Sequence, residues 1–140
     1  MDALETRSPA EREAALLAAR PVQIAHARSA SPAFAEILAN IDPATITSRA
    51  ALAALPVTRK YELLERQQAR RAENVFGGFS TIGFGAAIPR VFSSPGPIYE
   101  PEGTRRDYWR MARALFAAGF RPGELVHNSF SYHFVPAGSM

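Results

Sequence analysis

Apolar positions in the first half of the chain recur at the spacing of helix faces, in short runs divided by prolines. Ser8 precedes Pro9, Glu11 and Glu13, a capping residue followed by a first-turn proline and acids that suit the positive end of a helix dipole. Leu16, Leu17, Val22 and Ile24 continue this segment as an incomplete apolar stripe, and Pro21 leaves two outcomes open, one bent helix or two segments. Ser31-Pro32 begins a second helix with Phe34, Ile37 and Leu38 at helical spacing and an end near Asn40. Asp42-Pro43 then breaks the chain. Ser48 caps a short helix carrying Ala51, Leu52 and Leu55, which Pro56 stops, and Thr58 caps another that runs through Tyr61, Leu63 and Leu64 into Arg66, Arg70 and Arg71. Cations at that end complement the helix dipole, so the arginine cluster reads as a solvated face rather than a phosphate or RNA site.

At Asn74 the pattern changes from alanine-rich and helical to glycine-rich and aromatic, which divides the chain into a helical region, 1–73, and a second region, 74–140. Residues 75–85 predict a loop or a pair of distorted strands. Their glycines do not fit the dinucleotide fingerprint, the phosphate-loop pattern lacks its lysine, and Ser80 is no nucleophile elbow because Ile82 stands where the second glycine belongs. Arg90-Val91-Phe92-Ser93 reads as a short buried strand. It feeds residues 92–103, where Pro95, Pro97 and Pro101 lack N–H groups and Gly96 and Gly103 permit unusual backbone angles, a composition that predicts a rigid loop.

Beyond that loop, Thr104 and Asp107 make a box-like cap for a helix with Tyr108, Ala112, Leu115, Phe116 and Gly119 on one face and Arg106, Arg110 and Arg113 elsewhere. Arg121-Pro122-Gly123 turns the chain, and residues 124–130 have strand composition. The expected class is α/β: N-terminal helices, then a strand-helix-strand unit whose right-handed crossover makes adjacent parallel strands, the start of a larger sheet. A small-residue loop between strand and helix aims N–H groups and hydroxyls at an anion or acyl group, and this one offers Ser93, Ser94, Tyr99 and Glu100.

Composition narrows the chemistry. The 140 residues have the length of one domain, with 47% hydrophobic and 21% charged positions, as in an ordinary globular protein. Cysteine is absent, which removes disulfides, thiolate nucleophiles and cysteine metal sites. The net charge of +3 rests on arginine, Lys60 being the sole lysine, and acids are interleaved with bases, against a nucleic-acid partner. Met1-Asp2-Ala3-Leu4-Glu5 carries acid where a secretory signal carries base, and no apolar run matches a membrane span, so the expected compartment is the cytoplasm. His127, Ser129, Ser131 and His133 alternate with apolar and aromatic residues, so a strand would point both histidines one way. Without a third ligand they predict no metal site, and a serine hydrolase would need an oriented acid and an oxyanion hole that the sequence does not display.

The order of motifs resembles the N-terminal part of the phenylacetate-CoA ligase family, within the adenylate-forming acyl-CoA synthetases. Residues 52–60, Leu-Ala-Ala-Leu-Pro-Val-Thr-Arg-Lys, look like that family's L-x-x-L-P-x-T-x-K entry; Phe76-Gly77-Gly78-Phe79, the strand ending in Ser93-Ser94, Tyr108-Trp109, Gly119-Phe120-Arg121-Pro122-Gly123-Glu124 and Ser131-Tyr132-His133-Phe134 follow in family order. The resemblance implies a parent protein that activates a small carboxylic acid as an acyl-adenylate with ATP and Mg²⁺, then transfers it to CoA. It implies Ser93, Ser94 and the Gly96 backbone facing phosphate or the acyl carboxylate, Tyr99 and Glu100 beside the substrate, and Tyr132 and Phe134 as acyl-pocket wall. It also implies that this chain is an opening portion without turnover of its own, since the family's later segments have no counterpart here. The loop departs from the family: the Lys-Pro ending is replaced by Pro95-Gly96-Pro97-Ile98-Tyr99-Glu100, which sets a carboxylate where triphosphate would approach and puts ATP use in question. The rival expectation is a non-catalytic binding or assembly module, including a homodimer, joined through an incomplete sheet.

Overall fold

The computed structural model describes residues 3–139; Met1-Asp2 and Met140 lie outside them. Two compact units divide the chain, with the boundary between Thr81 and Ile82.

The first unit is helical. In α1 (Pro9–Ala30) the Ser8 hydroxyl accepts the Glu11 N–H at 3.2 Å, while the Glu11 carboxylate accepts the Ser8 N–H at 2.7 Å, a reciprocal cap. Pro21 lies inside this one continuous helix. Ser31 ends α1 in an extended conformation, the backbone that a following proline favours, and then caps α2 (Pro32–Ile37) by accepting the Phe34 N–H. A 3-10 turn (Pro43–Thr45) capped by Asp42 leads to α3 (Arg49–Ala53), where the Ser48 hydroxyl accepts the Ala51 N–H at 3.1 Å. The last helix of the unit, α4 (Lys60–Ala69), starts one residue later than the Thr58 cap predicts: Glu62 reaches back to the Arg59 N–H, so Arg59 takes the capping place.

Ala33, Leu38, Ile46 and Phe76 form the buried apolar centre of this unit, and polar bonds bridge its helices. The Ser31 hydroxyl, almost fully buried, donates to the Gly78 carbonyl at 2.8 Å. Arg66 donates to the Gly77 carbonyl at 3.0 Å and to Glu36, which also accepts from Arg70. The arginine cluster thus clamps α2 and the glycine turn onto α4. Gly78 has φ +84°, which strains any side chain there, and an added Cβ would stand a tight 3.2 Å from the Ala33 nitrogen.

The second unit departs from its expected elements. Residues 92–103 are no loop: β1 (Arg90–Ser94) and β2 (Ile98–Glu102) form a two-stranded antiparallel hairpin, with Ser94 opposite Ile98 and Arg90 opposite Glu102. Pro95 and Pro97 are confined to the turn, where no ladder bond is needed. Pro101 faces Val91, and the reason it is tolerated lies one pair along. Ser93 donates its N–H to the Phe134 carbonyl at 2.8 Å, away from β2, so alternation turns the backbone of Val91 and of the facing Tyr99 and Pro101 off the ladder as well. A proline there forfeits nothing.

The expected long helix is short. Asp107 and Arg110 have φ +49° and +59°, which no right-handed helix accommodates, and α5 spans only Ala112–Ala117. Asp107 caps the Ala112 N–H instead of closing a box with Thr104. Residues 124–130 form no strand, so the parallel strand-helix-strand unit is replaced by the hairpin. Local bonds occupy backbone groups that a ladder would need: the Glu124 N–H donates to the Arg121 carbonyl at 3.3 Å and Asn128 accepts the Phe130 N–H at 2.9 Å. The class is therefore mixed α/β, with the sheet limited to one hairpin among the described residues. No described helix is long and apolar enough to cross a membrane.

Candidate functional site

Register sorts the candidate residues onto two faces of the hairpin. Residues directly opposite share a face, so Ser93 and Tyr99 lie side by side on one, while Ser94, Glu100, Phe92 and Ile98 lie on the other. Phe92 and Ile98 are buried, Ser93, Ser94, Tyr99 and Glu100 half-buried, and the Pro95-Gly96-Pro97 tip is exposed. Gly96 has φ +122°, the conformation that lets three residues reverse the chain. Its N–H is flanked by two residues that have none, so the tip offers one backbone donor rather than a run of them.

Phe134 approaches this site through its backbone, as the acceptor of the Ser93 N–H, while its ring is 81% exposed. Tyr132 is 73% exposed and its hydroxyl accepts from the Asn128 side chain at 3.1 Å. The structure therefore brings Ser93, Tyr99 and the Phe134 backbone together, and leaves the Tyr132 and Phe134 rings without a wall to complete. His127 and His133 are exposed, with no hydrogen bond to Ser129 or Ser131 and no group of three metal-ligating side chains among the described residues.

A triphosphate does not fit the tip. Glu100 sits on the same face as Ser94, the prolines withhold donors, and Arg90, the cation of that strand, is spent on Glu102. Phosphate oxygens would meet a carboxylate with no cation interposed.

The most constrained group of the unit is one that motif reading passes over. Glu102 is buried, pairs across the strands with Arg90, and accepts the Trp109 indole N–H at 2.8 Å on its second oxygen. Burial pushes the Glu102 carboxyl up, but the Trp109 bond, then the Arg90 bonds and charge, outweigh it and hold the group below the usual carboxylate range. The Trp109 ring meets Phe92 edge-on at 5.8 Å and Tyr108 at 5.3 Å, and Tyr108 lies against the space that Gly103 leaves. Its one sequence signal is a glutamate set between Pro101 and Gly103 shortly before the Tyr108-Trp109 pair. No protein-family model matches the chain, and neither a curated protein nor a solved structure does.

Proposed function

We propose that the chain is the N-terminal portion of a phenylacetate-CoA ligase-like, AMP-forming acyl-CoA ligase, and that its hairpin helps seat the carboxylic acid rather than the ATP phosphates. The observation that carries this reading is the pairing of Ser93 with Tyr99 on the face opposite Glu100, with the Phe134 backbone bonded to the same strand. Two hydroxyl-bearing side chains clear of the carboxylate suit an anionic or acyl oxygen; the Ser94 face does not. The motif order from Leu52 to Phe134 supplies the family. In this reading adenylation and CoA transfer belong to the parent.

Calorimetric titration of ATP, CoA and a hydrolysis-resistant acyl-adenylate into the protein of the full reading frame tests this. Heat with the adenylate, weakened about fivefold to tenfold by Ser93→Ala, is the expected result. Flat traces for all three ligands would overturn it.

A second reading, the assembly module, draws on the exposure of Leu125, Val126, Phe130 and Phe134. Light scattering distinguishes it: a monomer that binds no hydrophobic dye removes this reading and leaves the first untouched.

A further inference from the structure

Residues 104–111 carry a contradiction. Their sequence is that of a helix start, with Thr104 and Asp107 at box spacing and Tyr108 in line with Ala112, Leu115 and Phe116, yet their backbone holds two left-handed residues. Arginine at φ +59° is unfavourable wherever it occurs, and aspartate at φ +49° less so. Such angles persist only where surrounding contacts impose them. The contacts here can be named: the Trp109 indole N–H on buried Glu102, the Trp109 ring edge-on to Phe92, and Asp107 on the Ala112 N–H.

We propose that residues 104–111 are a two-state strap: latched by the Trp109–Glu102 bond in the observed state, and able on its release to coil onto the N-terminus of α5 as one continuous helix. Coiling places Trp109 five residues above the Thr104 cap, about 7.5 Å along the axis, which breaks the bond to Glu102. It returns Tyr108 to the α5 face and relaxes both left-handed residues. It also uncovers Phe92 and the Glu102 carboxylate, leaving Arg90 as the partner of that acid. The latched state keeps the hairpin's Phe92 face closed; the coiled state opens it. Helix and strap compete for one side chain, so the element is bistable rather than continuously deformable. This inference stands independently of the ligase reading.

The whole chain tests it in two ways. Trp109→Phe keeps a ring against Phe92 but removes the N–H, and should raise the 222 nm ellipticity by the share of residues 104–111. Adding Asp107→Gly and Arg110→Gly should cancel that gain, since each glycine is at home at positive φ and poor in a helix, moving the strap-to-helix ratio about tenfold or more toward the strap. Trp109 is the only tryptophan, so the unaltered protein supplies the second measurement. In a trifluoroethanol titration its emission and the ellipticity should change with one midpoint. Unchanged or lower ellipticity in Trp109→Phe, a gain that the glycines leave intact, or separate midpoints would each overturn the strap.

Discussion

The two units of this chain solve the same problem by different means. In residues 3–81 each helix start is closed by a neighbouring side chain, and the helices are then tied by bonds between distant residues, Ser31 to Gly78, Arg66 to Gly77 and Glu36, Arg49 to Glu13. In residues 82–139 the buried side chains beyond glycine are those of Phe92, Ile98 and Glu102, and Leu125 through Phe134 stay exposed. Short-range caps that agree with long-range bonds give a self-sufficient unit. A short hairpin whose side-chain bonds gather on one carboxylate, Glu102, gives one more sensitive to pH.

The comparison breaks first at the helical centre. Phe76→Ala should cost about 3 kcal/mol and lower the urea midpoint of the helical unit, because Phe76 is nearly fully buried. Ser31→Ala should cost about 1–2 kcal/mol in the same assay, since it removes a cap and one of the two bonds to the buried Gly78 carbonyl, leaving that from the Ala33 N–H. In the second unit acid is the sharper tool. The folded Glu102 carboxyl lies below its unfolded value of about 4.3, so its stabilisation is complete above that value and disappears as pH falls through the lower, folded one. Trp109 emission should shift over that acid window, and Glu102→Gln should flatten the response. Smallest of all, Leu125→Ala should change stability by less than about 0.5 kcal/mol, as the side chain is fully exposed; a larger loss would mean that something covers it in solution.

What could be read from sequence follows the same division. Ser8, Ser31 and Ser48 announce their helices because a cap needs only residues three positions away, and even the late start of α4 is a local matter, decided by Glu62 reaching Arg59. The hairpin was hidden. Whether Pro101 breaks a strand depends on which partner it faces, and that register is a property of the pair, invisible along one strand. The strap was hidden for a related reason: its pattern is helical, and the contacts that accompany the observed backbone, Trp109 with Glu102 and Phe92, join residues that the pattern does not link. Of the candidate site, the chemistry of Ser93 and Ser94 was legible but their assignment to opposite faces was not, and the hairpin places Ser93 with Tyr99 and Ser94 with Glu100. The arginines of α4, read as a solvated cluster, prove to be the clamp on Glu36 and Gly77 because their partners lie in other elements.

Pro101 has one more effect. A sheet with an open border invites a foreign chain to zip alongside and seed a fibre. Here the incoming molecule would meet no backbone donor at Pro101, on a border that is itself only five residues long. The residue that looks like a break in the strand thus disfavours lengthening of the ladder on the β2 side.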